Sequence, residues 1–373
     1  MSERQRIVIK VGTSTLTSAE GRVDTAYIAS LMAQVAALRA RGDEVTIVSS
    51  GAIAAGLELI GDSLNSRPDD IPTLQAAAAV GQVQISGHYA EALAAHGLTM
   101  AQVLLTRFEI EHREAYLHAR DTLSRLLELG VVPLINENDT VATDEIRFGD
   151  NDTLAAQVAI LIKADLVCLL SDIEGLYTAD PRLDEDAELL REIGSFTEEI
   201  VSAAGDAGSS RGSGGMITKL EAARLLMAAG SPMVICEGHA PDAVLAAAAG
   251  EQVGTRFGAQ NPSRSRARKL WQALSGSVKG SVYVDDGAVH ALREGGGSLL
   301  PVGVTSVSGS FSAGSVVDIR SNSGLSIGRG LTQYGSDEIR AVAGQRSETL
   351  KGGKLLPGLE KTEVIHRDNM VLF

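Results

Sequence analysis

Asn136-Glu137-Asn138-Asp139-Thr140-Val141-Ala142-Thr143-Asp144-Glu145-Ile146-Arg147-Phe148-Gly149-Asp150-Asn151-Asp152 is the stretch around which this chain is organised. The apolar run before it, 131–135, predicts a buried strand ending in amides and carboxylates. The Ala-rich run after it, 153–162, predicts a helix. Polar groups held between a strand end and a helix start are what an open α/β sheet presents at its ligand crevice. Asn and Asp side chains there suit the amine and hydroxyl donors of a small solute. Helix capping by Asp150 or Asp152 would explain one or two of these residues, but not the whole cluster.

Working outward, strand and helix alternate on both sides. Apolar runs at 7–11, 45–49, 100–105, 166–170 and 233–236 predict strands. The segments 24–41, 72–96 and 113–129 predict helices between them. That alternation indicates right-handed βαβ units and an open, mostly parallel sheet sandwiched by helices. Hydrophobic residues make up 44% of the chain and aromatics only 3%, so the core must be aliphatic, as in parallel strands covered on both faces.

Three strand ends carry features suited to phosphate. Lys10 lies inside the first apolar run, where its ammonium is costly unless it reaches an anion. The turn Gly12-Thr13-Ser14 follows it, with no Gly-Lys-Ser/Thr closing a Walker loop. Ser50-Gly51-Ala52 opens a helix after the second strand, leaving backbone N–H groups for a carboxylate or phosphate. Ser171 and Asp172 follow the strand at 166–170. A Gly/Ser-rich loop, 205–215, then delivers Lys219 to a helix start, where the helix dipole disfavours a cation unless an anion sits beside it.

From about residue 278 the pattern changes to short β runs with Gly-rich turns: 281–284, 299–304 and 316–319, with Asp286-Gly287 as a turn. This predicts a small β-rich barrel or sandwich. The expected domains are 1–260, a linker at 261–275, and 276–373. From Trp271 onward ten Lys/Arg balance ten Asp/Glu, so the net charge of −14 lies in residues 1–270. Such a chain has no global attraction for nucleic acid or anionic membrane, and a neutral tail is a poor autonomous RNA binder. No run reaches membrane-spanning length. No secretory pattern precedes the first strand, and Cys168 and Cys236 sit in apolar runs as free thiols. A cytoplasmic location is the expectation.

Taken in order, Ile9-Lys10-Val11-Gly12-Thr13-Ser14, Val48-Ser49-Ser50-Gly51-Ala52, Asn136-Glu137-Asn138-Asp139, Gly149-Asp150-Asn151-Asp152, Gly175-Leu176-Tyr177-Thr178-Ala179-Asp180-Pro181 and Gly212-Ser213-Gly214-Gly215-Met216 resemble the amino acid kinase family. The tail resembles a PUA domain. Together the resemblances cover essentially the whole chain. Ser213, and Ser171 before Asp172, stand where Thr is common, and both keep the hydroxyl.

The resemblance implies ATP-dependent phosphorylation of the γ-carboxylate of L-glutamate, with ATP and Mg²⁺, feeding proline synthesis and inhibited by proline. It implies Lys10 and Lys219 as the charges on the transferring phosphoryl group, with Asp152 holding them. Ser50, Asp139 and Asn151 would bind glutamate. Lys10, Ser171, Asp172, Ser213, Gly214, Gly215, Met216, Ile217, Thr218 and Lys219 would bind ATP. No protein metal ligand set is expected, and Mg²⁺ would be held mostly by phosphate and water. A homo-oligomer, dimer or tetramer, is also implied. The alternatives are a kinase of this fold acting on aspartate, N-acetylglutamate, carbamate or UMP, or an RNA-binding protein using its tail.

Overall fold

A computed structural model describes residues 4–18, 21–61, 68, 70–142, 151–197, 200, 215–258, 278–345 and 363–373. The chain divides into two compact units, Met1–Asn261 and Pro262–Phe373. The expected linker, 261–275, lies outside the described residues.

The first unit runs β1 (Arg6–Val11), α1 (Thr13–Leu16), α2 (Thr25–Ala40), β2 (Glu44–Ser49), α3 (Ala52–Ile60), α4 (Ile71–Ala94), β3 (Met100–Leu105), α5 (Arg107–Glu111), α6 (Arg113–Glu128) and β4 (Val132–Glu137). It continues with α7 (Asn151–Ile162), β5 (Leu166–Ser171), β6 (Glu192–Ile193), α8 (Met216–Ala229), β7 (Met233–Glu237), α9 (Ala243–Ala249) and β8 (Thr255–Phe257). The sheet order is β3-β4-β2-β1-β5-β7-β8-β6. The strands from β3 across to β7 pair in parallel, while β8 runs antiparallel to β7 and parallel to β6. The chain steps from β1 to β2 on one side, and later to β5 on the other. The carboxyl end of β1 is therefore the switch point where a crevice opens.

Side chains alternate across the pleat. Ile7, Ile9 and Val11 of β1 pack with Ile28, Leu31 and Val35 of α2, in one core that also takes in Ile47, Leu134 and Cys168. Lys10 therefore points to the other face, where α7 lies against β1, β2, β4 and β5 with α8 beside it. Local chemistry sets the helix starts. Asp24 Oδ1 accepts from the Tyr27 N–H at 2.9 Å. Asp70 Oδ1 accepts from the Thr73 N–H at 3.0 Å, with Pro72 in the first turn of α4.

Helices α3 and α4 meet backbone to backbone. A Cβ on Gly56 would stand 1.8 Å from the Ala77 carbonyl oxygen, and one on Gly81 1.9 Å from that of Ala52. Backbone cannot swing aside as a side chain can. Gly81→Ala is therefore expected at the upper end of the ~1–3 kcal/mol cost of overpacking. Thermal unfolding checks this, and an unchanged Tm would show that the helices part freely.

The second unit holds β9 (Gly280–Val284), α10 (Asp286–Arg293), β10 (Val304–Gly309), β11 (Val316–Ser321), β12 (Ser326–Leu331), α11 (Ser336–Val342) and β13 (Met370–Leu372). Its sheet order is β10-β9-β11-β12-β13, around a core of Val282, Leu292, Ile319, Ile327, Ile339 and Ile365. Two local expectations are corrected here. Asp286-Gly287 is no turn but the start of α10, because Asp285 Oδ1 caps the Ala288 N–H at 2.7 Å. The run 299–304 is no strand, since Pro301 lacks a ladder donor. Leu299 makes a single bridge to Ile365 and β10 begins at Val304.

Candidate active site

The carboxyl ends of β1, β2, β4 and β5 converge with the amino ends of α7 and α8. Lys10 arrives from β1, Asp152 from the first turn of α7, and Lys219 from the first turn of α8. Lys10 Nζ lies 2.5 Å from Asp152 Oδ1, and Lys219 Nζ lies 3.2 Å from Asp152 Oδ2. All three are buried, Asp152 completely. The anion that Lys219 needs at its helix start is thus a carboxylate of the chain itself. Two ammonium groups share one carboxylate, so the three side chains together carry one positive charge in a desolvated place. An arriving phosphoryl group would balance it. Thr218 Oγ1 donates to the Gly215 carbonyl at 2.7 Å and stands 3.4 Å from Asp152 Oδ2.

Beside the triad lies a buried amide network. Asn151 Nδ2 donates to the Ser49 carbonyl and to Asn136 Oδ1, both at 2.7 Å, and lies 3.1 Å from Ser50 Oγ. Asn136 Oδ1 also accepts from the Glu137 N–H at 2.9 Å. Asn136 Nδ2 donates to Gln82 Oε1 of α4 at 2.6 Å. Burial pushes the Asp139 carboxyl up to about 6. A desolvated carboxylate just past β4 suits an ammonium ligand, which would repay its lost hydration.

On the other side of β1, Ser171 Oγ donates to Asp172 Oδ1 at 3.2 Å at the end of β5. Gly215 is the residue before α8, and among the described residues no side chain caps that helix. Met216 is buried and Ile217 exposed.

Of the residues expected from the sequence, Lys10, Asp152 and Lys219 come together, and so do Ser50 and Asn151. Ser213 and Gly214 lie outside the described residues, as do 143–150 of the opening stretch. Sequence reasoning gave no role to Gln82 or Asn136. The available signal for Gln82 was an amide placed directly after the small-residue run 76–81.

Residues 5–237 match the amino acid kinase family, and residues 280–353 match the PUA domain. The chain belongs to the amino acid kinase family. This kinase is 48% identical over 375 residues to a protein named glutamate 5-kinase from Burkholderia vietnamiensis, covering 100% of this chain and 99% of the relative. It is 45% identical over 373 residues to a protein of the same name from Dehalococcoides mccartyi, covering 99% and 98%. Among solved structures, carbamate kinase from Giardia lamblia bound to AMP-PNP aligns with a TM-score of 0.51 at 17% identity. That alignment covers 70% of this kinase and 100% of the other chain, and at that identity it speaks to fold alone. Among the described residues of this kinase no group of three or more His, Cys, Asp or Glu is placed to hold a metal. No helix there is long and apolar enough to cross a membrane.

Proposed function

We propose that this kinase transfers the γ-phosphoryl group of ATP to the γ-carboxylate of L-glutamate, giving γ-glutamyl phosphate and ADP. The observation that carries phosphoryl transfer is Asp152 set between Lys10 and Lys219 at the switch point. The choice of glutamate is supported by the full-length relatives that carry the name glutamate 5-kinase. A γ-carboxylate oxygen attacks the γ-phosphorus, and the bond from that phosphorus to the β,γ-bridging oxygen breaks. No proton has to move, since the nucleophile is already an anion. The residues' task is then positioning and charge neutralisation.

Lys10 and Lys219 neutralise the transferring group, and Asp152 holds both ammonium groups in place. Ser50 and Asn151 hold the acceptor, with Asp139 taking its ammonium. Ser171, Asp172 and the 213–219 segment hold the nucleotide. Mg²⁺ fits here as an ion carried by the nucleotide phosphates, where it supplies further charge neutralisation when bound.

A panel of acceptors with ATP tests the proposal. Preference for aspartate, N-acetylglutamate, carbamate or UMP over glutamate would overturn it.

The product would feed proline synthesis, and proline would inhibit by competing for the acceptor site. Proline shares glutamate's α-carboxylate and cationic amine but lacks the γ-carboxylate. Its amine would meet Asp139. The Asp139 carboxyl is ionised above about 6 and protonated below it, so acidification removes the charge that holds the amine. Glutamate KM is expected to rise as pH falls through that range. Asp139→Asn, assayed at neutral pH, is expected to raise glutamate KM about tenfold or more and to weaken proline inhibition with it. Saturation curves at several proline concentrations check this. Inhibition unchanged in Asp139→Asn while KM rises would place proline elsewhere.

A further inference from the structure

We infer that Gln82 is a positioning residue for the acceptor site, because its side-chain oxygen takes up the far end of a buried amide chain that runs beside Ser50. The inference rests on the proposed glutamate reading and goes beyond it. Among the described residues Gln82 makes no hydrogen bond to Ser50, Asp139 or Asn151. It is buried in α4 and accepts from Asn136 Nδ2 at 2.6 Å.

The consequence follows from donor and acceptor arithmetic. A neutral amide has one donating end and one accepting end. Asn136 has its oxygen directed at two donors, the Glu137 N–H and Asn151 Nδ2. If Asn136 flipped, its NH₂ would face those donors and three buried hydrogen bonds would be lost. The Glu137 N–H and the Ser49 carbonyl, backbone groups that cannot flip, set the polarity, and Gln82 completes it by accepting from Asn136 Nδ2, a donor that would otherwise be buried and unpaired. Asn151 is then fixed in turn, with its NH₂ committed to Asn136 and to the Ser49 carbonyl, beside Ser50 Oγ. Its oxygen is left as the accepting end, the polarity that an ammonium or hydroxyl donor requires.

Helix α4 is built to deliver this. Gln82 and Tyr89 are two helical turns apart on one face. Tyr89 Oη lies 3.3 Å from Ser49 Oγ, so one helix contacts the ends of both β2 and β4. The contact of Gly81 with the Ala52 carbonyl fixes the height of α4 against α3, whose start follows Ser50 and Gly51.

The test compares Gln82→Met, which keeps size but removes the acceptor, with Gln82→Glu, which keeps an acceptor. Both are made in the full chain and assayed for glutamate and ATP separately. Gln82→Met is expected to raise glutamate KM about tenfold or more, with ATP KM within about twofold and kcat less affected. Gln82→Glu adds charge at a buried position and is expected to lower stability, but it keeps the acceptor, so its glutamate KM is expected to stay within about threefold of wild type. An unchanged glutamate KM in Gln82→Met would overturn the inference. So would a parallel rise in both KM values, the mark of general loosening, or a Gln82→Glu as impaired as Gln82→Met.

Failure of the glutamate reading itself would appear as a wild-type enzyme inactive on glutamate. The side-chain NH₂ resonances of Asn136 and Asn151 would then decide. Faster hydrogen exchange there in Gln82→Met than in wild type and Gln82→Glu upholds the relay, and equal exchange in all three overturns it.

Discussion

Lys10→Ala and Lys219→Ala are each expected to lower kcat by about 10²-fold or more, by the cost of removing one preorganised donor from a developing charge. The two lysines approach one carboxylate from different elements, at 2.5 Å and 3.2 Å. Removing either leaves a neutral Lys–Asp pair where the three groups had carried one positive charge. The surviving lysine then spends its charge on Asp152 rather than on the phosphoryl group. The double variant should therefore lose less than the product of the single losses, as residues acting as one unit do. Steady-state kinetics on variants that melt normally checks this. A kcat near that of wild type in either single variant would remove that lysine from the chemistry.

Asp152→Asn is expected to have the second large effect, and it separates two roles. Asp152 sits in the first turn of α7, where an acidic residue also complements the helix dipole. If that were its whole role, Asn would cost only ~0.3–1 kcal/mol of stability and leave kcat unchanged. But Asp152 is completely buried between two ammonium groups. Replacing its charge leaves both cations desolvated and facing each other. Breaking such a pair costs roughly 3–5 kcal/mol. The expected result is a lower Tm together with a kcat loss of about 10²-fold or more, while glutamate KM moves less. Normal activity and stability in Asp152→Asn would reduce the residue to a helix-end feature.

The parallel sheet was legible because strands covered on both faces read as unbroken apolar runs, which are hard to mistake when they end in Gly, Ser or Asn. Lys10 was legible for the converse reason, as a charge where the pattern allows none. The pairing of Asp152 with Lys219 came from the family resemblance and not from the residue pattern, because the two lie 67 residues apart and only the packing of α7 beside α8 joins them. Gln82 was hidden by context, since an amide in an Ala-rich helix reads as the solvent side. Its burial depends on the close approach of α3 and α4. Local competition explains the misreadings in the second unit. Asp286-Gly287 carries turn chemistry, but Asp285 uses it to start a helix that buries Leu292. The strand β6 has only two residues, too short for any period to register.

The most direct measurement is trapping of the product of ATP and L-glutamate with hydroxylamine. An acyl phosphate at the γ-carboxylate yields γ-glutamyl hydroxamate, in step with ADP release. The expected result is that wild type forms this hydroxamate from glutamate in preference to the other acceptors, and that Lys10→Ala and Lys219→Ala do so about 10²-fold more slowly or worse. ADP release without hydroxamate, or a faster reaction on another acceptor, would contradict it.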